Sequence, residues 1–441
     1  MDTINQNQIL QNLEISELNK MQIAAAKAIA KEDNIILLSK TGSGKTLAYL
    51  LPILHLLRPN IKTVQTLILV PSRELAIQIE KVWKKMGTGY KINLCYGGHD
   101  YKTEQRNLSH PPAILVGTPG RVADHISKFN FSLVNIQILV LDEFDKSLEL
   151  GFQEEMDYII SRLRALNKRI LVSATKNMNL PEFTGVKNPK MVDFLVEKTD
   201  EEESDLTIKL IKSPFKDKIN SLFLLLCQLK AESALIFCNF RESVERTQQL
   251  LADQGLKTAV FHGGMDQEER ENALILFRNG TLPILITTDL AARGLDIPEM
   301  KNVIHYQLPP KIAEFTHRNG RTARMNQKGT VFIILNSEEK IPGYLAELPE
   351  ELVLSDFNEL PNPPDFSTVY ISGGKKQKIN KIDIVGFFCQ KGNIEKSDIG
   401  LIEVKDHSAF VAIKKEKVAG LLKSIGDEKL KGKSYKIKLL A

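Results

Sequence analysis

One stretch limits the folds open to this chain more than any other: Leu37-Leu38-Ser39-Lys40-Thr41-Gly42-Ser43-Gly44-Lys45-Thr46. The apolar run Ile35 to Leu38 reads as a buried strand. It breaks into a glycine-rich turn, and Thr46 opens a helical pattern carried by Leu47, Leu50 and Leu51. Strand, glycine loop and helix in that order are the context a phosphate cradle needs. Gly42 and Gly44 let backbone N–H groups converge on phosphate oxygens, where a Cβ would intrude. Lys45 is placed to reach the β- and γ-phosphates as a point charge, and the Thr46 hydroxyl suits Mg²⁺. Thr41 and Ser43 complete the loop, and Ser39 stands where the strict pattern has glycine.

The rest of the chain is arranged as repeats of strand and helix. With 441 residues it is too long for one ordinary core. Strand-like runs at Ile35–Leu38, Leu67–Val70, Asn93–Cys95, Ala113–Val116, Ile138–Leu141, Ile170–Val172 and Val192–Val196 alternate with helical patterns. Such alternation predicts a parallel sheet covered by helices on both faces. The acidic run from Asp200 to Asp205 reads as an exposed connector. A second series follows at Ile208–Ile211, Ala234–Cys238, Thr258–Phe261, Ile284–Thr287, Val303–His305 and Thr330–Leu335, without a glycine phosphate loop of its own. Pro361-Asn362-Pro363-Pro364 marks a further boundary. Beyond it the order β-α-β-β-α-β predicts a small split-βαβ domain. The expected domains are therefore 1–205, 206–360 and 368–441.

A second nucleotide signal is Ile138-Leu139-Val140-Leu141-Asp142-Glu143-Phe144-Asp145, an apolar strand that ends abruptly in carboxylates. Ligands of a parallel sheet gather at the carboxyl ends of its strands, so Asp142 is expected on the same edge as the phosphate loop. There it can hold Mg²⁺ through water, with Glu143 orienting or deprotonating the attacking water.

These residues carry a resemblance. Thr41–Thr46, Asp142–Asp145, Pro71-Ser72-Arg73-Glu74-Leu75-Ala76, Thr118-Pro119-Gly120-Arg121 and Ser173-Ala174-Thr175 are similar, in order, to the first-domain motifs of the DEAD-box RNA helicases. Phe237-Cys238-Asn239, His262-Gly263-Gly264-Met265, Gln267 through Arg270, Thr287-Thr288-Asp289, Arg293 through Pro298 and His317 through Arg324 resemble the remaining motifs. The resemblance implies two RecA-like parallel-sheet domains in tandem and an ATP- and Mg²⁺-dependent enzyme acting on RNA. It implies that Gln22 reads adenine and Asp296 touches the ribose. Lys45, Glu143 and two arginine fingers, Arg321 and Arg324, would serve hydrolysis. Ser173, Thr175 and His317 would couple nucleotide state to domain closure. Arg73, Gly97, Gly98, Thr118, Gly120 and Arg121 resemble the RNA-binding set of the first domain. Asn239, Gly263, Gln267, Arg270, Thr287 and Gly294 resemble that of the second. Backbone N–H, hydroxyl and guanidinium donors suit phosphate and 2′-OH contacts that ignore base identity. The chain departs from the family in Phe144, which replaces a small residue, and in Asn319 and Ala323 of the arginine-finger turn.

Charge sets the last segment apart. Residues 368–441 hold 16 lysines, no arginine and 8 acidic residues, a net +8, and the remainder of the chain is at −3. Such a basic excess suits a polyanion, as well as a solvated lysine-rich surface or a basic protein adaptor. Val369–Ile379, Asp398-Ile399-Gly400, Phe410–Ile413 and Lys431-Gly432-Lys433 resemble the RRM-like RNA-binding domain of the DbpA branch of the family. That resemblance implies a tail selecting a ribosomal RNA hairpin and delivering the core to pre-ribosomal particles. The third strand keeps one aromatic, Phe410, where an RRM stacking bases on its sheet uses up to three. A basic edge of Lys375, Lys376, Lys378, Lys431 and Lys433 is the expected alternative. Unwinding of RNA and an ATP-gated clamp that separates little duplex both fit these motifs.

No apolar stretch is long enough to span a bilayer, and Met1–Gln6 lacks the basic start and apolar core of a signal peptide. A cytoplasmic monomer without membrane contact is expected. Cys95, Cys227, Cys238 and Cys389 form no C-x-x-C pair, so packed thiols are expected and not disulfides or a zinc site.

Overall fold

The seven apolar runs of the first series form one all-parallel sheet. Its strands are β1 (Asn34–Ser39), β2 (Thr66–Leu69), β3 (Ile92–Cys95), β4 (Ile114–Gly117), β5 (Ile138–Leu141), β6 (Lys168–Ser173) and β7 (Lys190–Phe194). They lie in the order β3-β4-β2-β5-β6-β1-β7. A computed structural model describes residues 6–40, 42–98, 100–176, 180–195, 206–230, 232–289, 300–322, 328–345, 347–355, 359–426 and 428–440. Thr41, Gly294, Asp296 and Arg324 therefore lie outside the described residues. Side chains alternate between two cores, one on each face of the sheet. Ile35, Leu37, Ile138 and Val140 enter one, and Ile36, Leu38, Leu139 and Leu141 the other. Burial on both faces is why these strands read as unbroken apolar runs.

The second series forms β8 (Leu206–Ser213), β9 (Ala234–Cys238), β10 (Ala259–Phe261), β11 (Ile284–Thr288), β12 (Asn302–His305), β13 (Gly329–Asn336) and β14 (Glu350–Glu351). Their order, β10-β11-β9-β12-β13-β8-β14, repeats the strand order of the first sheet position for position. Every pairing is again parallel. Hydropathy does not announce β14. It is an exposed acidic edge pairing with β8, where Glu350 meets Lys209 and Glu351 meets Lys212. These are the two RecA-like sheets the resemblance implies.

The tail contributes β15 (Phe366–Ile371), β16 (Ile399–Val404), β17 (Ala409–Lys414) and β18 (Ile437–Leu439) in an antiparallel sheet ordered β16-β17-β15-β18. Helices Lys381–Gly392 and Lys415–Ser424 bury Ile384, Phe388, Val418 and Leu421 against Val369, Ile371, Val411 and Ile413. The opposite face meets the second parallel sheet's domain. The Thr368 hydroxyl is 3.0 Å from Asn279 Nδ2 and 2.7 Å from Thr281 Oγ1, all three residues being buried. Arg278 pairs with Glu403 at 2.8 Å, and Lys405 pairs with Glu271. The tail and the second sheet accordingly share one compact unit, and the first sheet belongs to another.

The Phe144 ring is fully buried in the core that holds Leu141, Met156 and Leu171. The bulk that departs from the family motif thus fills space beneath the carboxylate turn. Phe144→Ala is expected to leave a cavity and to lower the unfolding free energy of the first unit by about 3–5 kcal/mol. Denaturant titration checks this, and a loss below about 1 kcal/mol would mean the ring is not a packing element.

Candidate functional site

Because all strands of a parallel sheet point one way, the segments leaving their carboxyl ends collect on one edge. In the first unit β1 ends at Ser39, β5 at Leu141 and β6 at Ser173. These neighbours deliver the phosphate loop, Asp142-Glu143 and Ser173–Thr175. On the same edge β2, β3 and β4 deliver Arg73, Gly97-Gly98 and Thr118–Arg121. One edge therefore carries the segments expected to hold nucleotide and those expected to hold RNA side by side.

In the phosphate loop Gly42 and Gly44 have φ of 85° and 84°, left-handed values that favour glycine. The Ser39 hydroxyl donates to Ser43 Oγ at 2.8 Å, so the serine in place of glycine ties the two ends of the loop. Lys45 opens the helix Lys45–Leu56, and its ammonium donates to the carbonyls of Ser39 and Lys40 at 2.7 and 2.8 Å. Thr46 follows in the same first turn. Asn19 and Gln22 form a reciprocal cap on the helix Lys20–Lys31. Both also reach the loop: Asn19 Nδ2 donates to the Ser43 carbonyl at 3.1 Å and Gln22 Nε2 to that of Gly44 at 3.3 Å. A Cβ at Gly44 would lie 2.5 Å from Gln22 Nε2, so glycine admits this approach. The structure thus seats Gln22 on the phosphate loop, 22 residues away in sequence.

Asp142 is buried, and burial raises its carboxyl above the ordinary carboxylate range, opposed by a Tyr49 hydrogen bond and the Lys45 charge. The Tyr49 hydroxyl donates to Asp142 Oδ2 at 2.8 Å, and the Glu143 N–H donates to Oδ1 at 3.0 Å. Burial, followed by the Asp142 charge, pushes the Tyr49 phenol well up, so it stays a donor. Tyr49 escaped sequence reasoning because it sits in an apolar helix and reads as core. Glu143 has φ 48° and ψ 49°, an uncommon conformation for a non-glycine residue. Asp145 Oδ2 accepts from the Thr175 hydroxyl at 2.7 Å, and the Ser173 hydroxyl donates to the Thr175 carbonyl at 3.0 Å. Thr175 is thereby joined directly to the carboxylate turn, and Ser173 through it.

Among the segments expected to hold RNA, Gly98 has φ 82°, and a Cβ there would lie 2.7 Å from Arg73 Nη1. Arg121 Nε lies 3.3 Å from the Tyr96 carbonyl and 3.1 Å from Glu104 Oε2. Glu104 is buried, accepts from the Tyr96 N–H at 3.2 Å, and bonds His125 Nε2 at 2.9 Å. His125 Nδ1 lies 2.9 Å from Asn130 Nδ2, so both ring nitrogens are engaged. Glu104 therefore braces Arg121 to the turn before Gly97-Gly98, a role only the fold makes visible. Cys95 completes a buried Cys-Glu-His group with sub-4.8 Å ligand spacing. Burial and the neighbouring Glu104 push its thiol far above the ordinary value, so it is a packed thiol in a hydrogen-bond network. All four cysteines are free, and Cys389 is the one only partly buried.

In the second unit the topologically equivalent strands β9, β10 and β11 deliver Asn239, His262-Gly263 and Thr287 to one edge. Asn239 donates to the Leu308 carbonyl at 2.9 Å, and its N–H donates to Gln307 Oε1 at 2.8 Å. Arg270 donates to the carbonyls of His262 and Gly263 at 3.1 and 2.8 Å. Thr287 Oγ1 donates to the Phe261 carbonyl at 2.8 Å, and Gln267 pairs with Glu271 at 2.8 Å. Arg318, buried to 1% exposure, is the hub that sequence reasoning left without a role. It forks onto Asp289 at 2.6 and 2.5 Å and donates to Asn239 Oδ1 at 2.8 Å. Asn319 Oδ1 bonds His305 Nε2 at 2.8 Å, which accounts for a polar residue at that buried position. His317, half-buried, immediately precedes Arg318 on the same helix, Ile312–Asn319. Arg321 is buried and lies near the start of β12, its carbonyl accepting from the Met300 N–H at 3.1 Å.

In the tail, Phe410 is 3% exposed on the same sheet face as Thr368, edge-on to Tyr370 at 5.5 Å. Burial closes the Phe410 ring to base stacking, and Tyr370 beside it is half-buried. Lys375, Lys376, Lys378, Lys431 and Lys433 are all exposed. Lys431 Nζ donates to the Lys378 carbonyl at 2.9 Å and pairs with Asp383 at 3.0 Å, so the two lysine segments adjoin. No helix among the described residues is long and apolar enough to cross a membrane.

Comparison with known proteins agrees with this arrangement. The DEAD/DEAH box helicase family matches residues 19–183, the helicase conserved C-terminal domain matches 217–326, and the DbpA RNA binding domain matches 368–439. The ATP-dependent RNA helicase DbpA of Bacillus subtilis (strain 168) is 30% identical over 462 residues, covering 97% of this chain and 96% of that protein. Its namesake from Escherichia coli (strain K12) is 30% identical over 435 residues, covering 96% and 94%. The structure of S. cerevisiae Dbp5 bound to RNA and ADP BeF3 aligns with a TM-score of 0.65 at 27% identity, over 75% of this chain and 88% of that one. With the phosphate loop, the buried carboxylate turn and the RNA-binding tail all in place, the chain belongs to the DEAD-box family of ATP-dependent RNA helicases.

Proposed function

We propose that this enzyme remodels structured ribosomal RNA during assembly of the large ribosomal subunit, in the cytoplasm and as a monomer. The observation that carries the coupling is the shared carboxyl edge, where the segments expected to hold nucleotide and those expected to hold RNA leave adjacent strands. The catalytic core comprises domains 1–205 and 206–360, and 368–441 is the RNA selector.

Within that reading, Gly42 to Thr46 and Lys45 hold the phosphates, with Thr41 in the same loop, and Gln22 pairs with adenine. Gln22 uses one proton and one lone pair of its amide on Gly44 and Asn19, which leaves one of each for the base edge. Thr46 and, through water, Asp142 supply the hard oxygen donors that Mg²⁺ takes. Bound by these residues, Mg²⁺ would supply charge neutralisation for the phosphates and for the buried Asp142 carboxylate. Glu143, held in its left-handed turn, orients the attacking water and accepts its proton. Arg321 and Arg324 stabilise the charge that develops on the γ-phosphate when the domains close, and Asp296 binds the ribose. Ser173 and Thr175 transmit nucleotide state through Asp145, with His317 in the same relay. The RNA sets of both domains grip the sugar-phosphate backbone, so the core acts on any sequence and the tail chooses the target.

Glu143→Gln keeps the shape and hydrogen-bonding reach of the side chain and removes its basicity. Steady-state RNA-stimulated ATPase is expected to fall by about 100-fold or more, while ATP and RNA are retained together in a long-lived complex. An unchanged turnover would remove Glu143 from the chemistry.

The tail is tested without deleting it, because Thr368 is part of a buried contact. Lys376→Glu combined with Lys433→Glu reverses two exposed charges. The preference for a ribosomal hairpin over random RNA is expected to collapse, with basal ATPase on random RNA retained. Preference that survives the double reversal would place the selecting surface elsewhere. A clamp mode differs in one readout: ATP-dependent RNA retention without separation of short duplexes.

A further inference from the structure

Immediately after Asn239 the chain places Phe240 in the open. The residue is 64% exposed and stands in extended conformation, φ −127° and ψ 150°, as the cap of the helix Arg241–Asp253. Its surroundings are rigid. Asn239 is held through its backbone and both ends of its amide by Gln307, Leu308 and Arg318. The loop from β10 passes alongside, so that a Cβ on Gly264 would lie 3.7 Å from Arg241 Cδ. That loop is itself fixed by the two Arg270 hydrogen bonds to His262 and Gly263. A large apolar ring thus stands exposed on a hydrogen-bonded backbone, next to Asn239 and near the loop that carries Gly263.

We infer that Phe240 is a stacking platform for one unpaired base of the RNA strand gripped along this edge. The inference rests on the reading of Asn239, Gly263 and Arg270 as RNA contacts. Those groups are suited to phosphate and ribose and are blind to the base. An exposed aromatic beside them supplies what they lack, an apolar surface for the face of any base. Stacking on Phe240 competes with stacking on the neighbouring base, so the platform favours a strand splayed at this point over one in a duplex. The stack is sequence-tolerant because every base has a π-face. Base contact then enters a core that otherwise reads only backbone, and it does so without the tail's sheet, whose Phe410 ring is buried.

The test uses the full chain, a non-hydrolysable ATP analogue and a set of short single-stranded RNAs. Each RNA carries one abasic nucleotide, moved stepwise along the strand. Removing the stacked base is expected to weaken binding about fivefold or more at one position and little at its neighbours. Phe240→Ala should weaken binding of the intact RNA by a similar factor and erase the position dependence, and Phe240→Trp should preserve it. If Phe240→Ala binds intact RNA as the parent does, or keeps the abasic profile, the platform is wrong and the exposed ring serves another surface. Arg270→Ala separates this from the underlying reading: it should weaken every RNA of the set alike. If Arg270→Ala has no effect on any RNA, the edge itself is not an RNA site.

Discussion

A common strand direction is the constraint on which this molecule depends. In an antiparallel sheet the connecting segments alternate between edges, and no single edge collects them all. Here the fourteen strands described in the two larger sheets run parallel within each sheet, so the segments leaving their carboxyl ends are delivered to the same side of their domain. The strand order then sorts the motifs. In the first sheet β1, β5 and β6 bring the phosphate loop and carboxylates together, and β2, β3 and β4 bring the RNA-type segments. In the second sheet the equivalents of the latter three carry the corresponding set. The same wiring used twice places the groups proposed to grip the RNA backbone at matching positions of both domains.

Local chemistry makes the edge precise. Asp142 is buried and would be costly if left unpartnered. Tyr49 and the Glu143 N–H hold one oxygen each, which fixes the carboxylate plane. Glu143 is forced into a left-handed conformation one residue later, and the Phe144 ring anchors the turn from beneath. Asp145 receives Thr175 from β6, so displacement of either segment is felt by the other. Arg318 does the equivalent work in the second domain, with one guanidinium joining Asp289, Asn239 and the Gln307 carbonyl. Buried fork-to-fork pairing of this kind sets orientation as well as energy.

Much of this was legible in the residues. The strands could be read because both faces of each sheet are buried, which leaves apolar runs bounded by glycines, prolines and charges. Their ends shift by a residue or two, as at β7, which starts at Lys190 where Val192 was expected. What could not be read shares one physical cause. Tyr49, Glu104 and Arg318 matter through partners 8 to 93 residues distant, and nothing local marks a polar group that will be paired inside a core. The docking of the tail is equally silent, since Thr368, Asn279 and Thr281 are ordinary surface residues until the fold buries them together. The edge strand β14 is invisible to hydropathy because its two residues are glutamates held by lysines of β8.

If nucleotide and RNA are held by one continuous edge, each ligand must change the affinity of the other, and by the same factor. The most direct measurement is the equilibrium affinity of the full chain for single-stranded RNA with and without a non-hydrolysable ATP analogue. It is paired with the affinity for the analogue with and without RNA. The account predicts tightening in both directions by equal factors of about 5 to 150. Two affinities that do not respond to each other would contradict it.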